Sequence, residues 1–338
     1  MQESNILYLL PPQKLPTTLA EIKGSSAYLK AFDILKSLNN VSQNQLADIQ
    51  NAFTSYLHCF EVINNDPSES QPNKDNDEAF NIIRVNGDPM DVLLSSAINS
   101  FLHLVKDYHA GGSSLSDEEW EIVCLAYLTI FNLYLNSDNN LQWDLLEIVR
   151  PANLSYSKIS SQRAYHRWVH GHYVFMTVIQ AMIVNLNLFY TETEIDAYSS
   201  AKKYLQSATI LMLSAKIALK FAGDFSNEAY LAGVRPTLMP PIAKPNLSGL
   251  YWRDHEFLIK QTLKKTNNLF KNPHPIIASA VSEFKEAMSQ AYDAHKYVCQ
   301  KFVGTEEHSL LTNKPAVEVL TLFKKSRLSY LNGDKKND

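Results

Sequence analysis

The sequence predicts an all-α fold, a large helical bundle with a small helical part at the N-terminus. Apolar residues recur at three- and four-residue spacing along most of the chain, which is the period of a helix that faces a core. Glycine accounts for only 10 of the 338 residues, and runs with β-branched alternation are hard to find. The predicted helices cover roughly residues 27–39, 43–63, 88–107, 117–136, 141–149, 161–190, 194–222, 253–270, 276–303 and 315–330.

The composition narrows the class of protein. A chain of this length with 45% apolar residues can bury a large core. The formal net charge of −4 argues against nucleic acid as a partner, because phosphate binding requires a basic stripe. The cysteines, Cys59, Cys124 and Cys299, are far apart and predict neither a disulfide framework nor a zinc site. A reducing cytoplasm is therefore the expected location.

No segment is predicted to enter a membrane. The first residues carry no basic region and soon meet Pro11 and Pro12, unlike a secretory signal. The longest apolar stretches, near 173–190 and 208–222, are interrupted by polar residues such as Asn185, which is typical of buried helices rather than membrane spans. We therefore expect a soluble protein with no membrane partner.

One acidic segment divides the chain. Residues 64–79 are rich in Asn, Asp, Glu and Pro and have no apolar period, which predicts a disordered surface loop. We accordingly expect three parts: an N-terminal helical part over residues 1–63, this loop over residues 64–79, and a helical domain over residues 80–338.

A second irregular segment, residues 233–249, contains four prolines between two strongly helical stretches. A stiff apolar loop in an all-α protein crosses a surface or lines a cavity, and such loops often carry function. A rigid connection between helices is the alternative interpretation of the same residues.

A single histidine lies on an apolar helical stripe near the C-terminus. The stripe consists of Met288, Ala291, His295, Val298, Cys299 and Phe302, at spacings that place them on one face. The more frequent use of such an imidazole is as a core polar group with a hydrogen-bond partner. The other use is as an axial ligand to a haem iron, with the stripe covering the flat macrocycle.

Three further histidines crowd the start of the helix at 161–190. His166 and His170 are one turn apart, which is a spacing that metal ligands use. The alternative is a polar helix start with exposed imidazoles, and Gly171 is expected to weaken the helix here. The sequence contains no Glu-x-x-His pairs, phosphate-cradling glycine loop or Gly-x-Ser-x-Gly turn, so the commonest enzyme classes are not indicated.

The order of several features resembles a known superfamily. Tyr230 precedes Arg235 by five residues, Asn-Leu-Ser248-Gly follows, and His295-Lys-Tyr-Val comes later with a glycine nine residues after the histidine. This arrangement is similar to that of the tryptophan/indoleamine 2,3-dioxygenase superfamily of haem proteins. Within it, Val-Arg235-Pro and the prolines that follow resemble the monodechloroaminopyrrolnitrin synthases. The resemblance covers roughly residues 160–305.

The resemblance implies a haem b enzyme and a role for particular residues. It implies that His295 is the axial ligand of the haem iron, with Val298 and Phe302 against the cofactor. It implies substrate binding by Tyr173, Tyr230, Arg235 and Ser248, with the Arg235 guanidinium on a substrate carboxylate. It implies that the catalytic residues above the haem come from His170, His172 and Thr177.

The implied function is a histidine-ligated haem oxygenase that uses dioxygen or peroxide on an indole- or tyrosine-like aromatic, in specialised metabolism and as a possible homo-oligomer. The chain reads Gly304-Thr-Glu-Glu where the amino-acid dioxygenases have Gly-Thr-Gly-Gly, so ring cleavage of tryptophan is not implied. Two other hypotheses stay open: a cofactor-free helical binding or scaffold protein with His295 in its core, and a metal enzyme that uses His166 and His170.

Overall fold

A computed structural model describes residues 6–22, 60–64, 66–135, 159–244, 252–303 and 316–332. These residues are predominantly helical, which confirms the predicted fold class. The predicted helices at 27–39 and 141–149, and nearly all of the one at 43–63, lie outside the described residues.

The helices agree with the predicted ones within a few residues, apart from two that the sequence did not predict, Gln71–Ala79 and the three-residue Asn227–Ala229. The described helices are α1 (Gln71–Ala79), α2 (Pro89–Gly111), α3 (Asp117–Leu135), α4 (Ser161–Glu194), α5 (Tyr198–Ala222), α6 (Asn227–Ala229), α7 (Arg253–Phe257), α8 (Leu263–Lys271), α9 (Ala278–Val303) and α10 (Ala316–Asn332). A π-helical turn (Tyr230–Val234) and a 3-10 turn (Arg235–Leu238) extend α6, and a second π-helical turn (Leu258–Thr262) joins α7 to α8.

The centre of the bundle is the pair α4 and α5. Helix α4 starts after Ser160, whose hydroxyl accepts a hydrogen bond from the Arg163 backbone N–H. Gly171 lets the two helices approach closely, since a Cβ built there would lie 2.6 Å from the Ala222 Cα atom. The glycine that was expected to weaken α4 therefore serves its packing.

Both central helices are apolar enough and long enough to span a membrane. In the most apolar window of each helix, 83% of the α4 residues and 56% of the α5 residues are buried inside the protein. Their apolar surface is used for packing against α2, α3 and α9, as the sequence interpretation of buried helices expected.

A small sheet, which the sequence did not predict, packs against α4. Strand β1 (Leu7–Leu9) pairs in parallel with β3 (Ile82–Asn86), and β2 (Glu61–Val62) pairs antiparallel with the other edge of β3. Leu7 and Leu9 of β1 are fully buried in a cluster with residues of α4. Strands this short carry too few residues for an alternating pattern to stand out.

The acidic segment 64–79 is not a disordered loop where it is described. It contains α1, which Ser70 caps by accepting from the Asn73 backbone N–H. Its carboxylates are paired with arginines that the sequence could not connect to it: Asp77 with Arg84, and Asp66, Glu69 and Asp77 with Arg253. Charge composition alone predicted disorder because it does not show whether counter-charges exist elsewhere in the chain.

A buried ion pair ties these parts together. The Arg84 guanidinium donates to the Asp254 carboxylate, with Nη2 2.6 Å from Oδ2, and to the Leu10 carbonyl at 2.8 Å. The Gln180 amide of α4 donates to the same carbonyl at 2.8 Å and to Asp254 at 2.7 Å. Burial opposes the charge of Arg84, but the neighbouring Asp254 and Asp77 carboxylates outweigh it and raise the pKa of the guanidinium. The pair therefore joins the sheet, α1, α4 and α7.

We expect Arg84→Met to lower the free energy of unfolding by about 3–5 kcal/mol, because it leaves the buried Asp254 carboxylate without its counter-charge. Urea unfolding followed by circular dichroism measures the change. Lys324→Met is the matched control, since it breaks an ion pair with Asp293 whose carboxylate side chain is 58% exposed, and it should cost less than about 1 kcal/mol. Equal effects of the two variants would contradict the role of the buried pair.

Candidate active site

His295 lies on α9 and faces a cleft in the middle of the bundle. The cavity that the cleft encloses is small, about 50 Å³, below the roughly 300–1,000 Å³ of ligand and cofactor sites, so its side chains would have to move apart to admit a macrocycle. Its walls are formed by Phe175, Ile179, Met212, Ala215, Leu219, His255, Leu258, Ile259, Met288, Ala291, Tyr292 and His295.

The cleft is apolar except for three side chains: His255, Tyr292 and His295. Within the described part of the chain, neither His255 nor His295 makes a hydrogen bond. Most buried core histidines have such a partner, and imidazoles that face an apolar cleft without one are suited to bind a metal centre held there. The donor chemistry of the cleft therefore fits a haem iron.

His255 is the functional candidate that the sequence reasoning missed. Asp254, His255 and Glu256 are consecutive, and consecutive residues point in different directions around a helix. That divergence is what the site uses: Asp254 is buried in the pair with Arg84, while His255 lines the cleft with His295. No local sequence pattern identifies His255, because the other histidine of the cleft, His295, is forty residues further along the chain.

Both cleft histidines are held in the neutral form. Burial, followed by the charges of Arg327 and His295, lowers the pKa of His255 to about 4, against a smaller opposing effect of Glu256. Burial also lowers the pKa of His295. A neutral imidazole has the free lone pair that metal binding needs, so both rings are ready to bind at neutral pH.

The backbone after His255 is unusual. A π-helical turn, Leu258–Thr262, follows α7 directly, and its Leu258 and Ile259 side chains line the cleft. Such turns are rare and occur frequently at functional sites. Cys299 lies one turn beyond His295 on α9, and burial raises the pKa of its thiol to about 11, which keeps it protonated.

Among the predicted residues above the haem, His172 lies closest to this site. Its ring stacks on Trp252 at 5.4 Å and contacts Phe80 and Trp168 at 4.6 and 4.5 Å between centroids. Its Nδ1 donates to the Trp168 carbonyl at 2.6 Å, which leaves Nε2 as the acceptor of the neutral ring. Burial is the main cause that lowers the pKa of His172 to about 4, and His295 contributes to the shift.

His170, Tyr173 and Thr177 lie on a different face of α4, where it packs against α2. The His170 ring stacks on His103 of α2 at 4.1 Å, and its Nδ1 is 2.7 Å from an Asp107 oxygen. Tyr173 and Thr177 continue that face at helical spacing and are buried. The structure does not bring these three predicted residues to the cleft.

His103 is the most unusual member of this second cluster. It is fully buried, and neither ring nitrogen has a hydrogen-bond partner in the described structure. Burial is the largest cause that lowers its pKa well below 6.5, with His170 adding to the effect. His166 lies 6.1 Å from His170, and no group of three or more His, Cys, Asp or Glu side chains within the described ranges can hold a metal ion.

One predicted substrate residue, Tyr230, lies with the predicted cofactor residues Val298 and Phe302 in a third group, near the end of α9. Tyr230 stacks on Phe302 at 4.5 Å, and Val298 packs close to Gly223. Arg235 starts the 3-10 turn that follows, and neither Tyr230 nor Arg235 lines the cleft. Ser248 lies outside the described residues.

A helical bundle whose apolar cleft presents neutral imidazoles defines a class of protein, the helical haem-dependent oxidoreductases, and comparison with known proteins confirms that class. The chain belongs to the SfmD 3-methyl-L-tyrosine peroxygenase family, whose model matches residues 8–285. A relative named 3-methyl-L-tyrosine peroxygenase, from Streptomyces lavendulae, is 31% identical over 336 residues, which cover 95% of this chain and 89% of that protein.

A solved structure agrees with this membership. The crystal structure of reduced SfmD, soaked with sodium hydrosulfite, superposes with a TM-score of 0.66 at 28% identity and covers 86% of this chain and 95% of that one. The expected oxidoreductase is therefore confirmed, and the family is that of a peroxygenase. The narrower resemblance to monodechloroaminopyrrolnitrin synthases is not what these comparisons found.

Proposed function

We propose that this protein is a histidine-ligated haem peroxygenase that transfers oxygen to the ring of a tyrosine-like amino acid in specialised metabolism. The observation that carries the proposal is the apolar cleft with two neutral imidazoles that make no hydrogen bond to any described residue, His255 and His295. Membership of the 3-methyl-L-tyrosine peroxygenase family supports both the oxidant and the substrate class.

We assign His295 and His255 as the residues that hold the iron. His295 is carried by a helix of 26 residues, and His255 is held by its buried neighbour Asp254. The aliphatic walls from α4, α5 and α9 exclude water from the faces of the macrocycle. When bound, the haem supplies the oxygen-transfer chemistry with a peroxide, and the protein supplies binding, orientation and a dry surrounding.

Of the other predicted site residues, one is well placed for a role in catalysis. His172, with its free Nε2 acceptor and its aromatic neighbours, is the best placed of the predicted catalytic residues to accept a proton from a phenol or a peroxide. The substrate-binding roles predicted for Tyr230, Arg235 and Ser248 stay predictions. The relation to the tryptophan/indoleamine dioxygenases, the cytoplasmic location and the homo-oligomer also stay predictions.

His295→Ala should weaken the Soret band of the protein expressed with adequate haem, because it removes a ligand from the iron. His255→Ala should retain haem but shift its spectrum from a low-spin, two-histidine form to a high-spin form. Absorption and electron paramagnetic resonance spectra measure both effects. His274→Ala, at an exposed ring stacked on Tyr198, is the control and should leave the spectrum unchanged. A wild-type protein without a Soret band would remove the proposed function.

The substrate class has its own test. With the haem-loaded protein and hydrogen peroxide, we expect 3-methyl-L-tyrosine or L-tyrosine to gain one oxygen atom, measured by mass spectrometry. Peroxide labelled with ¹⁸O should place its label in the product, because a peroxygenase takes the oxygen from the peroxide. Label that appears only when ¹⁸O₂ is supplied would show a dioxygen-dependent oxygenase instead. L-tryptophan serves as the comparison substrate for the indole alternative.

The predicted cofactor type, haem b, is tested by extraction with acidified butanone. This treatment removes haem b and leaves a covalently attached haem on the protein. We expect the colour to leave with the solvent. Colour that stays would point to a thioether at Cys299, the thiol one turn beyond His295, and Cys299→Ser would then restore extraction.

A further inference from the structure

We propose that Arg327 is the carboxylate-binding residue of this cleft, and that its guanidinium binds either a haem propionate or the carboxylate of an amino-acid substrate. The inference rests on the proposed function for the identity of these guests. It assigns a residue at the border of the cleft to α10, which carried no predicted site residue and does not itself line the cleft.

The geometry places Arg327 at the edge of the cleft. Helix α10 packs against α8 and α9, and the Arg327 side chain is partly buried between them. Its guanidinium hydrogen-bonds to the Tyr292 hydroxyl, and Tyr292 lines the cleft one turn before His295. The guanidinium carbon also lies 5.9 Å from the centre of the Phe323 ring.

Arg327 has no counter-charge among the described residues, where no Asp or Glu forms an ion pair with it. The buried Arg84 and Arg253, by contrast, both have acidic partners. Arg84 is paired with Asp77 and Asp254, and Arg253 is paired with Asp66, Glu69 and Asp77. A partly desolvated guanidinium with only a phenol and a ring beside it retains donors for a planar, two-oxygen acceptor. Because the guanidinium lies next to the apolar cleft, we expect this acceptor to be a carboxylate of the molecule that binds in the cleft.

The charges of the cleft point to the same partner. The described residues that line the cleft include no Lys or Arg, and Arg327 is a cation that contacts one of them, Tyr292. Both proposed guests carry carboxylates, since a haem has two propionates and an amino acid has one α-carboxylate. A carboxylate that enters an apolar site needs a paired cation, and the arginine fork binds it through two parallel hydrogen bonds.

Arg235, for which the family resemblance implied this role, is placed differently. Its 3-10 turn follows a π-helical turn that is docked on the first residue of α4, where a Cβ on Gly233 would meet the Ser161 carbonyl. Arg235 does not line the cleft. Arg327, by contrast, contacts Tyr292, a residue of the cleft on the helix that carries His295.

The test uses Arg327→Gln in the full-length, haem-loaded protein, with Lys324→Gln as the matched control one turn earlier on α10. Two quantities are measured: the rate of haem transfer to apomyoglobin, and the dissociation constants of L-tyrosine and tyramine from haem difference spectra. Tyramine lacks the carboxylate. Loss of one charge-assisted, two-point contact should change the affected quantity about tenfold or more.

A propionate contact predicts faster haem loss from Arg327→Gln than from the wild type, and no such difference when both are loaded with haem dimethyl ester. A substrate contact predicts unchanged haem transfer and weaker L-tyrosine binding, with tyramine unaffected. Lys324→Gln should match the wild type in both. If Arg327→Gln does not fold, Arg327→Lys replaces it in the test. Lysine keeps the charge but lacks the planar pair of N–H donors, so this variant must still weaken either the propionate contact or the substrate contact.

Arg327 variants that bind haem, L-tyrosine and tyramine like the wild type would overturn the proposal. That result is distinct from a failure of the proposed function, in which the wild-type protein itself would show no Soret band.

Discussion

The buried ion pair between Arg84 and Asp254 is the constraint on which the architecture of the site depends. It connects residues 170 positions apart in the chain and adds the Leu10 carbonyl and Gln180 to the same network. Because Asp254 is held on one side of α7, the next residue, His255, points about 100° away around the helix, toward the cleft. Fold stability and the direction of a candidate iron ligand thus depend on the same contact.

The neutral and the charged groups of the cleft lie in different places. Burial keeps His255 and His295 neutral, so the cleft offers lone pairs rather than charge. Arg327 lies at its border, next to Tyr292. This arrangement suits a guest that is flat and apolar in the middle and anionic at its edge, which is the shape of a haem and, on a smaller scale, of an aromatic amino acid.

The sequence predicted the parts of this protein that depend on local periodicity. The long helices and the cleft-facing position of His295 follow from residues within one or two turns of each other. His255, α1 and the three-stranded sheet were missed because each depends on a contact distant in the chain: Asp254 with Arg84, Asp77 with Arg253, and β1 with β3. On α4, the family resemblance implied His170 and His172 together. Their separate faces depend on what packs against each of them: His103 of α2 against His170, and Trp252 against His172.

The two histidines of the cleft differ in how they are supported, and the difference bears on the proposed chemistry. If the iron is held by both histidines, as proposed, a peroxide could reach it only after one of them moves away. His295 lies within the continuous hydrogen-bonded α9, where moving one residue disturbs its neighbours. His255 lies in the five-residue α7, followed at once by a π-helical turn with wider hydrogen bonding. The shorter and less regular element is the one that can shift at lower cost, with the Arg84–Asp254 pair as its anchor. His255 is therefore the ligand better suited to leave, and His295 the one better suited to stay.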